Sequence, residues 1–272
     1  MKETESPLIL SMDRVVRVFH RAALDSSPET IHDLRVALRR CRSLAYGLSD
    51  LKHSPLLRLV SRQSKVLFRG LASLRNLHVR IHWMETLMPR RDTAARRLLK
   101  ELRSLERKSS LQIDRVLDDF DVAHWKNLRD RIVSRKIDET VKPREAARVS
   151  LERLGECERL HARALRGADD HAWHRLRIGF KKFRYFTTEF VPLKAHPGEG
   201  PLRKIQDALG EAHDLAELLA FLEREFGMRR VPKTWRRRIT GEREKRLKAY
   251  RRYIGNGKKV KEGRKRLNRL CG

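Results

Sequence analysis

Aromatic residues are scarce, with Phe, Trp and Tyr at 6% of 272 residues, and they do not interleave with the basic runs. That argues against a platform on which single-stranded bases stack. Cysteine is scarcer still: Cys41, Cys157 and Cys271 are odd in number and far apart, and no CxxC pair occurs. A disulfide framework and a cysteine zinc site are therefore not expected, and a reducing cytoplasm is the simplest compartment. No apolar run approaches the roughly 20 residues that span a bilayer. Residues 1–10 lack a basic stretch followed by an apolar one, so no secretory leader is expected. Period-two alternation and an Asn-Gly hairpin are missing, which speaks against strands. There is no P-loop, no GxGxxG, no GxSxG, and no pair of carboxylates that stands out. The sequence thus predicts no catalytic residues, no enzyme and no cofactor. His78 and His82 stand four apart, a spacing a zinc helix could use, but no Glu lies between them and no ligand cluster accompanies them. No metal is expected.

Positive charge is what the chain has in excess. Lys and Arg number 64 against 35 Asp and Glu, a net charge of +29 at pH 7. With hydrophobic residues at 40%, the chain can still bury a core and is not a disordered polycation. Strong self-repulsion in the free protein points to a polyanionic partner that relieves it.

Helical periodicity dominates. Leu8, Met12, Val15, Phe19 and Ala22 recur at helical spacing. Ser27-Pro28-Glu29 reads as N-cap, first position and acidic first turn of a helix to about residue 51. Further helices are predicted near 55–88, 93–120, 143–166, 171–190, 200–226 and 233–254, with 121–142 as a connecting segment. The chain also repeats itself. Ile31-His32-Asp33-Leu34-Arg35-Val36 aligns with Trp173-His174-Arg175-Leu176-Arg177-Ile178 at an offset of 142. Arg39, Arg40 and Arg42 fall opposite Lys181, Lys182 and Arg184. Phe19-His20 matches Leu160-His161, and Asn76-Leu77 matches Asp214-Leu215, at nearly the same offset. The expectation is an all-α fold made of two tandem helical bundles of about four helices each. Their bounds are 6–120 and 143–272, the second ending in a basic tail.

His32, Arg35, Arg39 and Arg42 sit at i, i+3, i+7 and i+10, one stripe of a helix about 15 Å long. His174, Arg177, Lys181 and Arg184 repeat the pattern. A lone surface cation is usually only a solvated charge. Cations at these spacings repel unless something neutralises them, so a doubled, histidine-led ladder points to an anion. A phosphate polymer suits it: Arg supplies a planar donor fork, Lys a point charge, and many contacts form without one fixed register. Both histidines lie in the first turns of their helices, where backbone N–H groups and the dipole favour anions. The two ladders could line one shared groove.

At these paired segments, and again at Leu71–Val79 and Ile205–Leu218, the sequence resembles the CHAD family, the conserved-histidine α-helical domain. Leu209-Gly210-Glu211-Ala212-His213-Asp214-Leu215 fits one of its motifs; the first copy departs, with Ala72 for the Gly and Asn76 for the Asp. The resemblance implies two helical bundles related by a pseudo-twofold axis, with a basic groove where they meet. It also implies binding of inorganic polyphosphate and association with polyphosphate granules. Residue by residue, it carries a polyphosphate-binding role onto His32, Arg35, Arg39, Arg40 and Arg42, and onto His174, Arg177, Lys181, Lys182 and Arg184. Lys65 and Arg203 are their companions on the following helix of each half. Other phosphate polyanions are possible partners by the same chemistry; a membrane is not expected.

Two other readings compete. A histidine phosphotransfer module is also a helical bundle with an exposed helix histidine, but here the histidine is duplicated and bulky Val36 and Leu38 flank the first copy. A non-specific nucleic-acid binder fits the charge but lacks a sequence-reading element. Residues 228–272 hold nineteen Lys or Arg against three acids, and Lys258 to Gly272 reads as a loose basic tail or a second anion contact.

Overall fold

The computed structural model describes residues 6–137, 141–167, 169–196, 198–228, 230–255 and 258–271, leaving aside the side chains of 258–261. Eleven α-helices and no strand occur among them, so the fold is all-α as expected. They are α1 (Pro7–Leu24), α2 (Pro28–Lys52), α3 (Pro55–Gly70), α4 (Ala72–Leu87), α5 (Thr93–Asp118) and α6 (Val122–Ser134). Then come α7 (Pro143–Gly167), α8 (Asp170–Phe190), α9 (Glu199–Phe226), α10 (Lys233–Gly255) and α11 (Lys258–Cys271). Proline opens α1, α2, α3 and α7, where its missing N–H costs nothing. Ser6, Ser27, Asp121 and Asp169 cap α1, α2, α6 and α8 by accepting a backbone N–H of the first turn.

The chain forms two compact units. The first comprises residues 1–78 and 100–142, and the second 79–99 and 143–272. The first unit packs α1 on α2, α2 on α3, and α6 on both α1 and α3. Its centre holds Leu8, Met12, Ile31, Leu34, Leu38 and Trp125, all fully buried. The Trp125 indole donates to the Met12 carbonyl at 3.2 Å, and Arg129 forks onto Asp13 at 3.0 and 3.2 Å. In the second unit α7 packs on α8, α8 on α9, α9 on α10, and α11 on α7. Leu176, Phe180, Phe183, Leu202, Ile205, Leu209 and Tyr250 form its core.

Four sequence expectations change. The helix expected over 55–88 is interrupted at Leu71, between α3 and α4. Gly70 lies so close to Val116 that a Cβ there would overlap its side chain, a constraint set by a residue far along the chain. The connecting segment expected at 121–142 contains α6, packed into the first unit by Trp125, Leu128 and Ile132. Residues 79–99, expected within the N-terminal bundle of 6–120, belong to the second compact unit, where the Trp235 indole donates to Asp92 at 2.7 Å. The stretch expected as a loose tail is α11, anchored by fully buried Leu267 and by Arg264 on Glu158 at 2.6 Å. No helix of the described residues is long and apolar enough to cross a membrane.

Candidate anion-binding site

In the first unit the ladder lies on α2. A small network fixes where α2 starts. The Asp25 carboxylate accepts from the Ser27 backbone at 2.9 Å, the Ser27 hydroxyl at 2.7 Å and the Thr30 hydroxyl at 3.0 Å. Those bonds, the Ser27 hydroxyl's foremost, hold the Asp25 carboxyl below its usual range. His32, in the second turn, is exposed.

The cations that follow are drawn onto α3. Arg35 donates to the Phe68 carbonyl at 2.6 Å and stacks over the Phe68 ring at 3.9 Å. Arg42 sits over the same ring at 5.0 Å. Neither contact is with an acid, so both anchors position charge without cancelling it. Burial lowers the Arg42 pKa from its ordinary value, and the neighbouring charges of Arg39 and Arg69 lower it further. Arg39 Nε is buried without a hydrogen-bond partner. Such a donor, crowded by other guanidinium groups, is a destabilised group that an anion would satisfy. Arg40 is half-buried, and Lys65 is exposed on α3.

In the second unit the ladder lies on α8, started by Asp169, which accepts the Ala172 N–H. Here the residues are more deeply set. Lys181 is 8% and Arg184 is 6% exposed. Arg184 donates to Gln206 at 2.9 Å and pairs with Glu199 at 3.2 Å, both on α9. The side chain named as a ligand contact from sequence is thus partly neutralised by its own fold. Arg203 is exposed and faces Asp207 at 3.8 Å. Lys182 is half-buried, and its carbonyl accepts from Arg153 at 3.2 Å.

His174 meets His213 of α9, Nδ1 to Nδ1 at 3.3 Å, with ring centroids 4.4 Å apart. One ring must donate and the other accept. Burial, then the charge of Arg177, lowers the His174 pKa from its ordinary value. Burial, then Arg177, His174 and Lys181, pushes His213 down to about 3. Both rings are therefore neutral near pH 7, packed beside Arg177 and Lys181.

Sequence reasoning named the ladder residues but missed Phe68, Arg69, His213, Gln206 and Glu199. His213 stands inside the quoted Leu209–Leu215 motif, one residue before Asp214, and that was its only signal. The others come from neighbouring helices and carry no spacing cue. The zinc spacing at His78 and His82 leads elsewhere: His78 is buried, with Nε2 3.4 Å from Glu106, and burial lowers its pKa to about 4. Among the described residues no group of three or more His, Cys, Asp or Glu could hold a metal ion.

A family model described as the CHAD domain matches residues 13–223. The solved structure of PptA from Streptomyces chartreusis is similar, with a TM-score of 0.61, 12% identity and 96% of each chain covered. At that identity the likeness is one of fold. No curated protein matches the chain.

Proposed function

This chain belongs to the CHAD domain family, and we propose that it binds inorganic polyphosphate on the ladder faces of α2 and α8 without carrying out chemistry on it. The observation that carries this reading is the crowding of Arg39, Arg42 and Arg69, with a buried Arg39 Nε that lacks a partner. A repeating phosphate chain offers acceptor oxygens at every unit and satisfies such donors in any register. Arg35, Arg39 and Arg42 on α2, and Arg177, Lys181 and Arg184 on α8, would each supply contacts to the polymer. His32 and His174 would donate rather than react, and Lys65 and Arg203 would extend the contact. On this reading the protein resides in the cytoplasm on polyphosphate granules, which co-localisation of a fluorescent fusion with stained polyphosphate tests.

The central experiment is competition between polyphosphate and double-stranded DNA of equal charge for the purified chain. Polyphosphate should win, and its affinity should fall steeply with salt as counterions return to the polymer. Equal competition by DNA makes this a general polyanion binder instead. Incubation with polyphosphate or triphosphate, with and without divalent metal, should release no phosphate above a buffer control. Transfer of phosphate from a histidine kinase to His32 would replace this reading with phosphotransfer.

A further inference from the structure

The second unit contains an apolar cavity of about 190 Å³ in the space between α7, α8, α9, α10 and α11, with Leu154, Leu176, Phe180 and Phe183 among its walls. It lies apart from the α8 ladder in chemistry as well as position: the ladder is cationic, and this space is lined mainly by carbon. Its principal polar feature is His161 beside Tyr250, which are hydrogen-bonded to one another at 2.7 Å. Each group thereby satisfies the other. An ordered water needs two to four polar partners, and these walls supply few, so water is a poor occupant. A cavity of about 150 Å³ lined by Leu, Ile and Phe stays dry and admits benzene.

We propose that this cavity is a binding site for a small, neutral, ring-sized apolar molecule carrying one hydroxyl, the phenol class, with the hydroxyl docked on the His161–Tyr250 pair. A tyrosine hydroxyl that donates to His161 Nδ1 keeps its lone pairs to accept from a ligand hydroxyl. The pair is neutral at physiological pH, since burial lowers the His161 pKa and raises that of Tyr250. A carboxylate would have to leave water for walls without a free cation, because Arg264 at the rim is engaged by Glu158 at 2.6 and 2.7 Å. That rim pair is about half exposed, 50% and 45%. Ion pairs so exposed are weak, and the space is already partly open to solvent, so a ligand has a way in.

The test uses the full chain with p-cresol, toluene and benzoate as probes in calorimetric titration. Saturable 1:1 binding of p-cresol is expected, with toluene weaker by about fivefold for the missing hydrogen bond and benzoate unbound. Tyr250→Phe should bring p-cresol down to the affinity of toluene. Leu176→Phe, which fills the space, should abolish binding of both. Where that variant fails to fold, methyl NMR of the unmodified chain decides: Leu154, Leu176 and Leu267 should shift with p-cresol while Leu34 and Leu38 stay fixed. Absence of saturable p-cresol binding, binding that survives Leu176→Phe, or shifts spread evenly over both units overturns the proposal.

Discussion

The two ladders share a sequence pattern and differ in how their charge is held. On α2, Arg35 and Arg42 lean on a carbonyl and a ring of Phe68, which fixes their position. On α8, Arg184 is turned inward to Glu199 and Gln206, and His174 is closed against His213. The first face crowds Arg39, Arg42 and Arg69 against one another; the second settles the charge of Arg184 against its own fold. A stripe of cations in a sequence therefore gives an upper bound on the charge a ligand meets, and the neighbouring helix sets the remainder.

The largest effect should come from striking both ladders. Arg39→Glu with Lys181→Glu should weaken polyphosphate binding by about a hundredfold, since each lost charge-assisted bond is worth ~1.5–3 kcal/mol. Lys265→Glu with Arg269→Glu, exposed on α11, should change it by less than about threefold, because exposed charges off the ladders are screened within about 8–10 Å at physiological salt. The ladder variant should also show a shallower salt slope, with helix content checked by circular dichroism. Equal losses in both variants would mean that net charge alone explains binding.

Removing the support of the α2 ladder should cost less. Phe68→Ala deletes both cation–π contacts, each ~0.5–1 kcal/mol, and should lower affinity about fivefold in a filter-binding titration. The same substitution in a chain whose α2 ladder does not bind would alter stability only. A gain is expected on α8: Glu199→Gln releases Arg184 and should raise affinity about twofold. A loss there would show that Glu199 positions Arg184 for the ligand instead of neutralising it.

The smallest difference concerns acid. A buried histidine whose pKa is depressed binds fewer protons folded than unfolded, so stability rises with pH across the gap between the two values. Its contribution is complete above the unfolded value near 6.5 and is lost as pH falls towards the folded one. For His78 in the first unit that window closes at about 4, and for His213 in the second at about 3. Melting temperatures measured from pH 7 to pH 4 should fall. His78→Asn and His213→Asn should each flatten that fall across the whole range, since both windows reach down to pH 4. A fall unchanged in both variants would assign acid sensitivity to other groups.

Helix content was readable because proline and serine or aspartate mark the starts of α1, α2 and α8, and because the buried stripe from Leu34 to Leu48 keeps strict helical spacing. The ladders were readable for the same reason. What surrounds them was not. Phe68, His213 and Glu199 reach the ladders from other helices, and no periodicity records that meeting. The close approach of Val116 to Gly70 and the packing of α11 on α7 join residues far apart in the chain. The sequence of α11 itself shows mostly charge.

The excursion of residues 79–99 into the second unit alters what it means to divide this protein. A protease nick at residue 142 separates two polypeptides but does not separate two units, since hydrogen-bond partners of Trp235 and Arg238, Asp92 and the Leu87 carbonyl, are on the N-terminal piece. Such a nicked protein should migrate as two bands in denaturing gels and as one species on a sizing column. Fragments 1–142 and 143–272, made apart, should each be incomplete and should recover their fold only when mixed. A gene encoding such a chain cannot be trimmed to half its length at the apparent repeat boundary and still yield a finished half.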